Sequence, residues 1–167
     1  MRRTALAFAF LSAAAPAWAE SATSGVWTYS FEPSSTGKGG IVTALSPSPS
    51  PSGDPNDPSY LIARCINGQS ELLVGGQGGW GLPRRQIDVT TRVDDGEPQT
   101  KRWDVSTNGK AAFLGDGADA FLKALPDDGK LLVSVVDAAG GRHETVFRTT
   151  GFGVVRTKIA EACNWAP

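Results

Sequence analysis

Tight-turn signals between short β-prone runs constrain this chain most. Residues 61–66 and 71–74 flank Asn67-Gly68, and residues 103–107 and 110–114 flank Asn108-Gly109. Asn-Gly readily takes the positive φ angles of a two-residue hairpin turn, so each pair predicts a hairpin. Residues 131–136 and 144–149 flank Ala138-Ala139-Gly140-Gly141 as a third, and 26–31 with 41–45 offers another pair. Ile87, Val89, Thr91 and Val93 alternate with Asp88, Thr90 and Arg92, the period of a half-buried strand. The pattern predicts a mostly β fold, an antiparallel β-sandwich-like domain.

Two short helices interrupt the strands. The first covers 118–125, follows Asp116-Gly117 as a possible cap, carries Phe121, Leu122 and Leu125 on one face and stops at Pro126. The second runs from about Phe152 to Cys163. Phe152, Val155, Ile159 and Cys163 make one stripe at helical spacing, which aims Cys163 at the sheet.

The first nineteen residues read as a secretory signal peptide. Arg2 and Arg3 supply the positive start, 4–15 the apolar stretch, and Ala17-Trp18-Ala19 the small residues of a cleavage site. That stretch is shorter than the roughly 20 residues a spanning helix needs. An uncleaved anchor is the alternative. The residues after Arg2-Arg3 fit a twin-arginine signal poorly, which favours the general secretory route. Residues 20–167 then form a single β-rich domain, expected in the periplasm or secreted, with no membrane insertion after cleavage. Within it, 46–59 is a Ser/Pro-rich segment predicted to be an exposed loop, because alternating prolines remove backbone donors.

The chain holds 16 basic and 17 acidic residues, and loss of Arg2 and Arg3 makes it more acidic. No strong field draws it to nucleic acid or to an anionic membrane. Its two cysteines, Cys65 and Cys163, are an even count in a chain read as exported, which favours a disulfide over two buried thiols. Closing a loop of about 100 residues stabilises by ~4.7 kcal/mol in the chain-entropy model.

The residues offer no catalytic constellation, and the domain is read as non-enzymatic. His143 is the single histidine and stands near a predicted hairpin tip, where a solvated turn histidine is the expectation. His143-Glu144 lacks the second histidine of a zinc-protease motif, since Phe147 stands there. One histidine and two bridged cysteines do not make a zinc site, and no metal or cofactor is expected. Asp54, Asn56 and Asp57, and Asp94, Asp95 and Glu97, are oxygen-rich but read as turns rather than calcium loops. The run 76–81 matches a dinucleotide fingerprint literally, yet Leu82-Pro83 follows where a helix is required. Its glycines Gly78 and Gly79 and the indole of Trp80 are the candidate binding residues, for a sugar or a protein partner.

Several pieces in order resemble the VasI/TagO family of type VI secretion-associated exported proteins. They include Leu61-Ile62-Ala63-Arg64-Cys65, Val93-Asp94-Asp95-Gly96 followed by Trp103, Lys110-Ala111-Ala112-Phe113 and Phe121-Leu122-Lys123-Ala124-Leu125. Leu131-Leu132-Val133, Val146-Phe147 with Gly151, and Ala162-Cys163-Asn164-Trp165 complete the set. The resemblance implies a strand-rich periplasmic accessory protein without a cofactor, and it transfers no catalytic residue. The Ser/Pro-rich segment is longer than such proteins need. The sequence therefore points to an accessory or binding protein with an unidentified protein or cell-wall partner. The alternatives are a secreted ligand-binding or inhibitory β domain that uses Trp80, and a carboxylate-based cell-wall hydrolase.

Overall fold

The computed structural model describes residues 20–33, 39–48, 58–76, 81–83 and 85–167. The predicted signal peptide 1–19, the centre of the Ser/Pro-rich segment and the candidate residues Gly78, Gly79 and Trp80 lie outside the described residues. The strands are β1 (Glu20–Ser24), β2 (Trp27–Pro33), β3 (Gly40–Ser48), β4 (Ser59–Ile66), β5 (Gln69–Gly76), β6 (Gln86–Val93), β7 (Gln99–Val105) and β8 (Ala111–Leu114). Helix α1 (Ala118–Ala124) precedes β9 (Lys130–Val136) and β10 (Arg142–Arg148), and α2 (Phe152–Cys163) closes the order. The mostly antiparallel β fold with two short helices is as expected.

The strands form one sheet in the order β1-β2-β3-β4-β5-β8-β7-β6-β9-β10. The turn residues set its registers. Asn67 and Gly68 have φ of 53° and 75°, and Ile66 pairs directly with Gln69 across them. A one-residue slip there would turn Leu61, Ala63 and Cys65 from the core to solvent. The Asn108-Gly109 and Gly140-Gly141 turns likewise connect β7 to β8 and β9 to β10.

The sheet curls until its last strand meets its third. β2 pairs with β3 as far as Leu45, which leaves the end of β3 without that neighbour. There the Ser46 Oγ donates to the Arg148 carbonyl at 3.3 Å and the Ser48 Oγ to the Val146 carbonyl at 2.5 Å. The expected exposed loop over 46–59 is therefore corrected at both ends. Ser46, Pro47 and Ser48 belong to β3, Ser59 begins β4, and all three serines are buried. Proline is tolerated because this stretch of β3 borders a strand that bonds through serine side chains.

Alternation and helix packing then fill the interior. Val42 and Ala44 on β3, Leu61, Ala63 and Cys65 on β4, Leu72 and Val74 on β5, and Leu131, Val133 and Val135 on β9 are all buried. Trp27 and Phe152 meet with ring centroids 5.0 Å apart at 45°. Such tilted pairs contribute about 0.5–1.5 kcal/mol beyond their burial. The predicted α2 stripe is intact, since Phe152, Val155, Ile159 and Cys163 are all buried. The α1 cap differs from expectation. Gly117 is the N-cap in a left-handed conformation, and no side chain caps the helix. Leu122 and Leu125 are buried as predicted, with Phe121 half-buried beside them.

Cys65 and Cys163 form a disulfide across a sequence separation of 98, with Cα atoms 5.7 Å apart. It ties the last turn of α2 to the inner face of β4. Asn164 ends the helix in a left-handed conformation, and Trp165 then turns back. Its Nε1 donates to the Ser70 Oγ at 2.8 Å, while the Lys123 ammonium lies 5.0 Å from its ring. The Cys163-Asn164-Trp165 corner thus joins α2, β5 and α1.

Candidate functional site

Among the described residues, side chains gather at two places that could meet a partner. The first is a turn cluster around Gly81 and Leu82, at the end of the glycine-rich run. The Leu82 N–H donates to the Gly109 carbonyl at 3.3 Å, and the Ala138 N–H donates to the Gly81 carbonyl at 3.1 Å. Residues 81 and 82, which follow the candidate residues Gly78, Gly79 and Trp80, are therefore held between the β7–β8 and β9–β10 turns.

The β9–β10 turn has its own lock. The Asp137 Oδ1 accepts from the N–H of Ala139 at 2.8 Å and of Gly141 at 2.7 Å, and its Oδ2 lies 2.8 Å from the His143 Nε2. The hydrogen bond from His143 and those of the turn amides hold the Asp137 carboxyl below its ordinary pKa. His143 thus differs from a solvated turn histidine. It belongs to β10, is half-buried and braces an aspartate six residues earlier. The bonds of Asp137 to the Ala139 and Gly141 amides and to His143 fasten the β9–β10 turn.

The acidic turn at 94–97 is also structural. Asp94 has a φ of 47°, its Oδ1 accepts from the Lys130 N–H at 2.8 Å, and its own N–H donates to the Lys130 carbonyl. Among the described residues, no group of three or more histidine, cysteine, aspartate or glutamate side chains is placed to hold a metal ion.

The second place is a groove between the β1–β2 hairpin and α2, which the sequence did not single out. Glu20 pairs with Phe31 and Ala22 with Tyr29, so the four side chains share one face. Helix α2 crosses that face, burying Val155 and Ile159 inward and presenting Lys158 and Glu161 at the rim. Glu20, Ala22, Tyr29, Phe31, Lys158 and Glu161 enclose about 190 Å³. The small Ala22 leaves the floor open, and the Phe31 ring lies against Gly40, where a Cβ would come within 2.7 Å of the ring. The Lys158 Nζ is 3.6 Å from the Glu161 Oε2. An aromatic floor under a charged rim suits a ligand with both apolar and polar parts. No local sequence signal marks it, because β1 carries too few apolar residues to be read as a strand.

The comparisons with known proteins bear on the fold. No protein-family model matches the chain, and no curated protein matches it significantly. The fold is similar to that of invasion associated protein b from Bartonella henselae. The likeness to that crystal structure has a TM-score of 0.52 at 15% sequence identity, and covers 84% of this chain and 96% of the other. At that identity it is a likeness of architecture.

No helix among the described residues is long and apolar enough to cross a membrane.

Proposed function

We propose that this chain is an exported, non-enzymatic binding protein that works in the periplasm as an accessory to a larger assembly or to the cell wall. The observation that carries the reading is the buried Cys65–Cys163 disulfide, which closes most of the domain. Such bonds persist in oxidising compartments and are rare in the cytosol. The leader-like 1–19, with its Ala17-Trp18-Ala19 cleavage motif, agrees with it. The bonds at Asp94 and Asp137 each fasten a turn, which fits a structural part for both acids. The VasI/TagO resemblance makes type VI secretion the leading pathway.

Two experiments test the reading. Fractionation of cells expressing the full chain should place the protein in the periplasm, shortened at its N-terminus. Cytosolic protein of full length would overturn export. Deletion in a strain that encodes the secretion machine should impair secretion, and unaltered secretion would remove that pathway while leaving export standing.

A further inference from the structure

We propose that the outer edge of β1, together with the groove beside it, accepts an extended polypeptide segment of another protein as an added β-strand. This rests on the reading of the chain as a binding protein and names the chemistry of its partner.

The backbone of the β1–β2 hairpin fixes which groups are free for such a strand. Ser24 pairs with Trp27 across the two-residue turn Gly25-Val26, and Gly25 has a φ of 56°. In a two-residue hairpin the pair flanking the turn exchanges backbone hydrogen bonds, and bonded and non-bonded pairs then alternate. Ser24, Ala22 and Glu20 therefore bond to β2, and Ser21 and Thr23 aim their N–H and C=O groups away from it. β1 ends the strand order, and among the described residues no strand pairs with its outer side. An extended backbone presents donors and acceptors at this two-residue spacing, as neither a sugar nor an apolar surface does.

The groove supplies the side-chain part of the recognition. Ala22 and Glu20 point to the face that holds Tyr29 and Phe31, so alternate side chains of an added strand reach the same face beside them. An apolar or aromatic side chain there meets the Tyr29 and Phe31 rings. The rim carries two carboxylates, Glu20 and Glu161, against the one ammonium of Lys158, which favours lysine or arginine in the segment. β1 itself contains neither lysine nor proline, the residues that commonly block an edge.

A pooled library of blocked heptapeptides is the probe, with valine, threonine or tyrosine at alternate positions and lysine or threonine between them. It is selected on the disulfide-bonded protein recovered from cells expressing the full chain, and the best binder is titrated. The binder should slow amide exchange at Ser21 and Thr23. Ser21→Pro removes an N–H that β2 does not use, so it should weaken binding by about tenfold while the melting temperature holds. Ala22→Trp, which fills the groove, should weaken it too. Four results would overturn the proposal: no peptide enriched, binding untouched by Ser21→Pro, a chitin oligosaccharide bound at the groove in place of peptide, or a dimer through β1 that excludes the peptide. None of these bears on export, which fractionation tests separately.

Discussion

Asp137 and His143 face each other across the β9–β10 hairpin, with the Oδ2 and Nε2 atoms 2.8 Å apart. The ionised carboxylate accepts, so the histidine nitrogen donates. Its other oxygen holds the Ala139 and Gly141 amides. The turn that fastens Gly81 is therefore organised by a single carboxylate.

The folded Asp137 pKa is depressed, which fixes the sign of its pH dependence. Its stabilisation is present above the ordinary aspartate value and is lost as pH falls through the lower folded value. The Ala139 and Gly141 amide resonances should titrate with a midpoint below the ordinary aspartate range. In Asp137→Asn that titration should vanish. A midpoint at or above the ordinary value would contradict the hydrogen-bonding account.

Reduction of the disulfide should lower stability by about 2–5 kcal/mol, because the unfolded chain then regains the freedom of a long closed loop. The Cys65→Ala, Cys163→Ala double variant should behave like the reduced protein. Denaturant titration with and without reductant measures both. Equal midpoints would mean that the bridge contributes nothing to the fold.

Gly25 and Gly151 are pressed together where the β1–β2 turn meets the start of α2. A Cβ on Gly151 would lie 2.4 Å from the Ser24 carbonyl oxygen, and its φ is 87°. The Ser24 Oγ also donates to the Gly151 carbonyl at 2.8 Å. Gly151→Ala should therefore cost about 2–3 kcal/mol from overpacking and a left-handed backbone together. Thermal unfolding of Gly151→Ala beside Gly140→Ala, whose Cβ meets nothing within 4 Å, separates the packing part. Equal losses in the two variants would show that the close approach is unimportant.

The seam between β3 and β10 rests on serine hydroxyls. Ser48→Ala should destabilise by about 1 kcal/mol, the usual net value of one such bond. Amide exchange should rise along β10 more than along β4 and β5. Uniform change across the sheet would argue against a local seam.

Much of this fold was legible in short-range signals. Asn67-Gly68, the 87–93 alternation and the Phe152 to Cys163 stripe each encode their structure within a few residues. The disulfide followed from the even cysteine count together with the reading of 1–19 as a signal peptide. Ser46, Pro47 and Ser48 were not legible as strand, because proline argues against pairing and the compensating partners lie on β10, about a hundred residues away. β1 was hidden for another reason: Glu-Ser-Ala-Thr-Ser has no apolar alternation, and only its pairing with β2 makes it a strand. The groove is unreadable for the same reason, since its walls come from β1, β2 and α2. The sequence signal at Trp80 is local, and its neighbours Gly81 and Leu82 are placed by distant turns.

The central claim is an exported domain closed by Cys65–Cys163. The intact mass of the protein recovered from cells under alkylating, non-reducing conditions tests it most directly. The account predicts one species that begins at Glu20, is two hydrogens lighter than its reduced form and carries no alkyl group. A species that retains Met1, or one alkylated at Cys65 and Cys163, would contradict it.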